Sequence, residues 1–346
     1  MEKLIYPYNF VSLGDEKNMK RESIKKGGKT GKLMCSLINK TPISIEDTKN
    51  IIIPASSLKG EIRNIIEVLT TSCIRVDIKN ESHLYEKVPE NFRTCSNTEN
   101  LCFACRLFGS TGNEKSDEKN KDSYRGRVYF SDAVLNVEYK KKIEFIKMKL
   151  LLERPRINDK NILKKYYISN NKIRGRKFYW HQEELEIKNR NEILEGFTKK
   201  IKSSYPEICF IESGQEFIFN IHFENLTDEE LKVLMYSLEL EENIWHKLGR
   251  AKSYGFGSCE IKINKLFLDK DNKYQSFENV VEEVDINEFL KDTKEKYKNT
   301  KENQIKELKL ILNKSNKVHL GLFSPFPSQK KLKGNLPTIL EYEEEK

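Results

Sequence analysis

The sequence contains no long apolar run. The longest, from Leu101 to Cys105, covers about five residues, whereas a transmembrane helix needs about 18. The N-terminal segment MEKLIYPYNF also lacks the apolar stretch of a secretion signal. We therefore expect a cytoplasmic protein with no membrane partner.

Other missing features exclude further classes of protein. The glycine-rich segment LGRAKSYGFGS does not match the P-loop pattern G-x-x-x-x-G-K-[ST], so we predict no nucleotide hydrolysis. Apolar residues make up 37% of the chain and aromatic residues 10%, which is too much for a disordered protein. A length of 346 residues allows one large domain or two ordinary ones.

Positive charge is in excess, with 62 Lys and Arg residues against 53 Asp and Glu residues and a net charge of +9. This balance makes a polyanion the first partner to consider. Residues 17–32 carry seven basic residues and one acidic residue, and three glycines among them predict a mobile basic loop.

The periodicity of apolar residues predicts an α+β protein. Leu58, Ile62 and Leu69 belong to one helical face, and Ser56 or Ser57 could cap that helix. Residues 208–223 resemble a hairpin, and Thr227 with Glu230 forms a capping box before a second helix. The order of strand, helix, strands, helix and strand predicts a ferredoxin-like (RRM-like) βαββαβ core with large insertions and a helical C-terminal extension.

The seven cysteines include a group with zinc-ligand spacing. Cys102 and Cys105 form a C-x-x-C pair, and Cys95 lies shortly before them. His83 or Cys73 could supply a fourth ligand, and three thiolates with an imidazole can close a tetrahedral structural zinc site. We favour His83, because Cys73 is expected to end the first helix.

Three stretches carry a family resemblance: IPASSLKGEIRN (53–64), CRLFGS (105–110) and LGRAKSYGFGSCEI (248–261). Together they resemble the CRISPR-associated RAMP superfamily, and most of all the backbone subunits of type III effector complexes. The resemblance implies binding of guide RNA, pairing with target RNA, contact with other RAMP and effector subunits, and a structural zinc. Ala55 departs from the glycine usual in this motif.

The resemblance and the residue chemistry together predict three RNA-binding segments. Cations and backbone N–H groups can neutralise phosphates, and aromatic rings can stack on bases. The first two segments contribute Ser56, Ser57, Lys59 and Arg63 at the helix start, and Arg250, Lys252, Ser253 and Tyr254 in the glycine-rich loop. The third contributes Arg174, Arg176, Lys177 and Tyr179, although core packing explains the neighbouring aromatics Phe178 and Trp180 equally well.

The sequence does not decide whether the protein is catalytic. By resemblance, an acid in the loop before the first helix could cut target RNA with Mg²⁺ or another divalent ion, and Asp47 is the candidate. A solvated loop acid is the other interpretation of Asp47. The alternative function is an endoribonuclease that matures guide RNA, with His181 or His246 as general acid or base.

The expected domain organisation follows from these segments. Residues 1–268 would form an RRM-like domain that carries a zinc-binding loop at about 73–110 and a basic aromatic insertion at about 140–205. Residues 269–346 would form a charged helical tail.

Overall fold

The computed structural model describes residues 8–45, 51–75, 86–95, 97–110, 123–136, 143–147, 168–169, 172–181, 207–252, 255–270 and 281–316. Its helices are α1 (Ala55–Leu69), α2 (Phe103–Phe108), α3 (Asp228–Leu238), α4 (Ile286–Lys298) and α5 (Asn303–Leu312). Within these ranges no helix has the length and apolar character needed to cross a membrane.

The first ten strands are β1 (Tyr8–Val11), β2 (Arg21–Glu22), β3 (Lys29–Asn39), β4 (Ile43–Ile45), β5 (Ile52–Ile53), β6 (Leu101–Cys102), β7 (Gly109–Ser110), β8 (Tyr124–Arg125), β9 (Val128–Phe130) and β10 (Ala133–Leu135). The next nine are β11 (Ile143–Lys147), β12 (Ile168–Ser169), β13 (Lys172–Ile173), β14 (Arg176–Tyr179), β15 (Glu207–Ile211), β16 (Glu216–Leu226), β17 (His246–Lys247), β18 (Ser258–Asp269) and β19 (Val281–Val284).

A large antiparallel sheet organises the fold. Its strands follow the order β17-β18-β3-β16-β10-β5, with β9 paired to β16 and β19 paired to β18. Strand β3 lies at the centre and pairs along most of its length with both β16 and β18. This architecture confirms the expected mixture of helices with a sheet, at the level of a mixed α/β fold.

The two faces of the sheet differ in burial. Leu33, Cys35 and Leu37 alternate along β3 on the inner face and are buried, as are Phe217 to Phe223 at every second position of β16. Helices α1 and α3 pack against each other and against strands of this sheet. Helix α5 adds Ile305, Leu308 and Ile311 to the same core. The sequence therefore assigned the core-facing residues of α1 to the correct face.

Helix α1 begins differently from the prediction. Its N-cap is Pro54, with no side-chain cap, and neither Ser56 nor Ser57 caps the helix. Instead, the carboxylate of Asp132, in the loop between β9 and β10, accepts the N–H of Ala55 at 2.7 Å. The cap is supplied by a residue distant in sequence, which local spacing cannot reveal.

The predicted hairpin at 208–223 is also wrong. Strand β15 pairs with β4 and β11 in a separate three-stranded sheet, whereas β16 joins the main sheet. Asn39 holds the turn between them, because its amide donates to the carbonyl of Glu212 at 2.9 Å and its Oδ1 accepts from the N–H of Gln215 at 2.7 Å. The chain therefore crosses between sheets at a turn whose composition is typical of a hairpin.

The basic segment at 17–32 is more ordered than predicted. Arg21 pairs with Cys102 across β2 and β6. Its guanidinium donates to the carbonyls of Asn91 and Arg93 at 2.9 and 2.8 Å. Strand β3 begins at Lys29. The first part of this segment is thus fixed against the cysteine-containing loop.

The predicted capping box is confirmed, and its acid has a second role. Glu230 accepts the N–H of Thr227 at 3.0 Å, and also accepts from Arg106 at 3.0 Å and Arg127 at 2.6 Å. Burial alone would raise the pKa of the Glu230 carboxyl, but the hydrogen bonds from Arg127 and Thr227 outweigh burial and lower it. This ion pair joins α2 and the start of β9 to α3.

We predict that Glu230→Gln lowers the free energy of unfolding by about 3–5 kcal/mol, because two buried guanidinium groups lose their counter-charge. Glu229→Gln, on the exposed side of the same helical turn, should change it by less than about 0.5 kcal/mol. Urea denaturation measures both. Since folding lowers the carboxyl pKa, this stabilisation should be present above about pH 4 and disappear on further acidification. Equal stability of the two variants would contradict the assignment.

Candidate functional site

A cleft of about 530 Å³ lies at the N-terminal end of α1. Its walls include Ser56, Ser57 and Arg63 from the helix, and Arg250 and Lys252 from the glycine-rich loop between β17 and β18. Two motifs that are far apart in the sequence therefore line one concave surface.

The glycine-rich loop has a backbone that side chains would obstruct. Gly257 has a φ of +84°, and an added Cβ would lie 1.7 Å from the carbonyl oxygen of Leu248. Ala251 also adopts positive φ, at +57°, which is a strained conformation for a residue with a Cβ. The N–H of Arg250 donates to the Ser44 hydroxyl at 2.8 Å. These contacts hold the described residues on either side of 253–254 in place, while the Arg250 side chain is exposed.

A buried lysine anchors the base of this loop. The Lys247 ammonium donates to the carbonyl of Gly255 at 3.0 Å and to the Ser258 hydroxyl at 2.9 Å. Burial lowers the pKa of Lys247 to about 7. No carboxylate within ion-pair distance of Lys247 occurs among the described residues, so its charge is not paired.

The basic aromatic strand β14 lies beside Lys252, one of the residues that line the cleft. Strand β14 pairs with β1, and Lys177 Nζ lies 3.8 Å from the Tyr8 ring and 4.9 Å from the Tyr179 ring. Lys252 Nζ, from the glycine-rich loop, lies 5.6 Å from the centre of the same Tyr179 ring. Tyr179 therefore connects two of the three predicted segments. Phe178 and Trp180 are buried in the core, which decides their role in favour of packing.

Burial shifts the pKa values of two ionisable groups at or near the cleft. Burial raises the pKa of the Glu61 carboxyl, against the opposing effect of Lys252 and of the Lys247 N–H. Burial, together with the charge of Arg63, lowers the pKa of Lys59. Glu61 lies on the cleft wall together with Arg250 and Lys252.

Four cysteines form a buried cluster behind this wall. Cys73, Cys95, Cys102 and Cys105 place all four Sγ atoms within 4.8 Å of one another. Cys73 Sγ lies 3.5 Å from both Cys105 Sγ and Cys102 Sγ. A tetrahedral zinc with Zn–S bonds of about 2.3 Å requires Sγ atoms about 3.8 Å apart, so the donor set and its spacing fit zinc. The cluster can hold a metal ion of this kind.

Cys73 reaches the cluster because α1 ends earlier than predicted. The helix stops at Leu69, and Thr71 then turns the chain with a φ of +47°. His83, the ligand favoured from sequence, lies outside the described residues. Asp47, Ser253 and Tyr254 lie outside them too.

Two of the predicted RNA-binding arginines point into the protein. Arg63 donates to Glu67 at 2.9 Å and to Cys105 Sγ at 3.5 Å. Arg176 is 3% exposed and donates to Glu67 at 3.3 Å and to the carbonyl of Cys73 at 3.0 Å. Both guanidinium groups therefore lie beside the cysteine cluster, where their positive charge would offset the negative charge of metal-bound thiolates.

The histidines considered as general acids or bases are buried. His181 is 0% exposed, hydrogen-bonds to the Ser258 hydroxyl at 2.9 Å and contacts the carbonyl of Leu312 at 3.0 Å. Burial lowers the pKa of His181 to about 3 and that of His246 to about 4. Both rings are neutral at physiological pH and lie away from solvent.

Sequence reasoning missed Glu67 and Lys247. The spacing of Glu67 four residues after Arg63 is typical of a helical ion pair, so a signal existed for it. Nothing in the sequence around Lys247 distinguishes it from the many exposed lysines, because its burial depends on how β17 packs.

We predict that Lys247 makes stability rise with pH between about pH 7 and pH 10. The unfolded chain binds this proton up to a pKa of about 10.4, whereas the folded chain releases it near 7. The gain should be on the order of 4 kcal/mol in urea denaturation, and Lys247→Met should remove it. Lys262→Met, at an exposed position, is the control. A wild-type profile that matches that of Lys247→Met would contradict a buried, unpaired lysine.

Comparison with known proteins places the chain in a family. The family model of the RAMP superfamily matches residues 36–260, which include the cysteine cluster and most of the cleft. Among solved structures, the crystal structure of Thermofilum pendens Csc2 is similar, with 15% sequence identity and a TM-score of 0.36 over 74% of this chain and 70% of that chain. No curated protein matches at a significant level. On the family match, which spans well over half of its length, the chain belongs to the RAMP superfamily.

Proposed function

We propose that the protein is a guide-RNA-binding subunit of a type III-like CRISPR effector, which holds the RNA backbone in the cleft for pairing with target RNA. The observation that carries the proposal is the convergence of the α1 start and the glycine-rich loop on one cleft, with Tyr179 of β14 beside Lys252. Base pairing would then read the target sequence, and the protein would contribute sequence-independent contacts.

The proposed RNA contacts begin with residues that line the cleft. Arg250 and Lys252 would neutralise phosphates, and Ser56 and Ser57 would donate hydrogen bonds to them at the helix start. Tyr179 is half-exposed and could stack on a base. Three more sequence-predicted contacts, Lys59, Arg174 and Lys177, belong to the same proposal. So do Ser253 and Tyr254.

We assign Arg63 and Arg176 a different role. Their guanidinium groups are oriented toward Glu67 and the cysteine cluster, so we propose that they position the cleft wall and support the cluster. This assignment narrows the set of RNA contacts predicted from sequence.

We also propose that the main sheet is a ferredoxin-like core within residues 1–268, with residues 269–346 as an extension. The support is the order β18, β3, β16 and then β9 with β10, all antiparallel, with α1 and α3 in the two connections. Helices α4 and α5 of the extension contact α3 and α1 respectively.

The cysteine cluster is proposed as a structural zinc site with Cys73 as the fourth ligand. Four thiolates and Zn²⁺ carry a net charge of −2, and the Arg63 hydrogen bond to Cys105 Sγ would offset part of it. When bound, zinc would connect the end of α1 to the loop before α2, which has little apolar core of its own.

An RNA-holding role is favoured over guide-RNA maturation, because His181 and His246 are buried and neutral. Target cleavage by Asp47 with a divalent ion stays a prediction from sequence. Among the described residues, the cysteine cluster is the one group of at least three candidate metal ligands.

We expect the double variant Arg250→Ala/Lys252→Ala to lose at least about 10-fold in affinity for single-stranded RNA at low salt. Because two phosphate contacts would be lost, the slope of log affinity against log salt should also fall by about 1.4. Fluorescence anisotropy at several salt concentrations measures both quantities. Lys291→Ala, on the exposed side of α4, is the matched control. If the double variant keeps the wild-type affinity and slope, the cleft does not bind RNA.

The metal content of the purified protein tests the zinc site. Elemental analysis should find about one zinc per chain, and Cys73→Ser should remove most of it because a tetrahedral structural site needs all four ligands. Cys209→Ser, which changes a cysteine outside the cluster, and His83→Ala should both retain zinc. Retention by Cys73→Ser combined with loss by His83→Ala would restore His83 as the fourth ligand.

A further inference from the structure

The outer face of the main sheet carries a row of aromatic and cationic side chains that the cleft does not use. Strand register places Tyr129 of β9 opposite His222 of β16. His222 lies opposite Lys32 of β3, and Lys32 lies opposite Phe267 of β18. We refer to Tyr129, His222, Lys32 and Phe267 as the outer-face row.

Alternation along the strands fixes the face on which this row lies. The chain neighbours Leu33, Phe223 and Leu266 are fully buried on the inner face, beneath the helices. Successive side chains of a strand point to opposite faces, so the row points outward. His222 is exposed, and the other three side chains are half-exposed.

Further cations surround the row. The Arg125 guanidinium lies 5.1 Å from the centre of the Tyr129 ring, and Lys265 Nζ lies 5.8 Å from that of Phe267. Nearby acids are Glu224, 3.5 Å from the Tyr129 hydroxyl, and Glu283, which pairs with Lys265 at 3.2 Å.

The basic segment adds charge at the same end of the sheet. Asn225, at the end of β16, donates to the carbonyl of Lys25 at 2.9 Å and accepts from the N–H of Gly28 at 2.7 Å. Lys25 and Lys26 are exposed on this fixed loop. Two further acids lie at this end of the sheet: Asp228, which pairs with Lys29 at 3.3 Å, and Asp269, two residues after Phe267 on β18. The six cations Lys25, Lys26, Lys29, Lys32, Arg125 and Lys265 outnumber the four acids, which makes the surface complementary to a polyanion.

The row is separate from the cleft. Lys32 lies near the start of β3, whereas the cleft lies beyond the other end of this strand, at Ser44. The seven residue steps from Lys32 to Asn39 alone span about 24 Å. The row itself crosses three interstrand spacings, or about 14 Å.

We propose that the outer-face row is a second binding surface for single-stranded RNA, on which bases stack on Tyr129 and Phe267 while Lys32, Arg125 and Lys265 contact phosphates. Open sheets of RRM modules stack two or three bases in this way. The choice of RNA as the ligand rests on the proposed function, but the surface and its test do not depend on the cleft. An acidic protein would complement the positive charge but would leave the two rings unused. RNA would use both, because its phosphates contact the cations and its bases stack on the rings.

The test uses the full chain and a labelled single-stranded oligouridine. In the background Arg250→Ala/Lys252→Ala, residual binding should persist. Adding Tyr129→Ala and Phe267→Ala should weaken it by about 10-fold for each ring removed. Tyr129→Phe keeps a stacking ring and should retain the residual affinity. Val134→Ala, at a 55% exposed position on the same face without a ring, is the matched control.

Crosslinking of the unmodified chain gives a second readout that does not depend on how the variants fold. Thiouridine-substituted oligouridine should crosslink to peptides that contain Tyr129 or Phe267. Unchanged affinity on removal of both rings, or crosslinks confined to peptides of the cleft, would overturn the proposal.

The outcomes separate the two surfaces. If Arg250→Ala/Lys252→Ala abolishes all binding, the outer-face row contributes none and this inference fails, while the cleft stands. If only the ring variants weaken binding, the outer-face row stands and the cleft fails. Ring variants that alter the assembly state of the protein but not its RNA affinity would identify a protein interface and overturn the proposal.

Discussion

The buried carboxylate of Glu67 lies between two guanidinium groups, those of Arg63 and Arg176. A charged group in this position would be costly without partners, so helix α1 and strand β14 must approach each other in one arrangement. The same two arginines contact Cys105 Sγ and the carbonyl of Cys73. The cleft wall, the basic aromatic strand and the cysteine cluster therefore share one electrostatic constraint.

A second buried acid, Glu230, fixes the position of the other end of the cysteine-containing loop. Glu230 joins Arg106 of α2 and Arg127 to the first turn of α3. In the loop before α2, Cys95 and Leu101 join the main core, whereas Val88 and Phe92 pack with Leu13 in a separate small cluster. These ion pairs thus link this part of the chain to α3 in addition to hydrophobic burial.

The basic residues of this protein divide into two groups. Arg63, Arg106 and Arg176 point inward and neutralise buried acids or face sulfur atoms. Arg250, like Lys25 and Lys26 of the basic segment, is exposed at the surface. The net charge counts both groups together, although only cations at the surface can contact a polyanion.

The sequence alone was sufficient for features that depend on local spacing. The core face of α1, the capping box at Thr227 and the involvement of Cys95, Cys102 and Cys105 in one cluster all follow from residues within one or a few turns of chain. The family motifs also follow from sequence, because their residue types recur at short fixed distances.

Only the tertiary structure decided features that depend on distant partners. Asp132 rather than a serine caps α1, β15 leaves the expected hairpin for another sheet, and Cys73 turns back from the helix end to meet the other cysteines. It also decided which arginines face inward, because burial of a guanidinium depends on a carboxylate brought by packing. Sequence periodicity reports which face of an element is apolar, but the partner of a polar group is set by contacts between elements that the linear order does not contain.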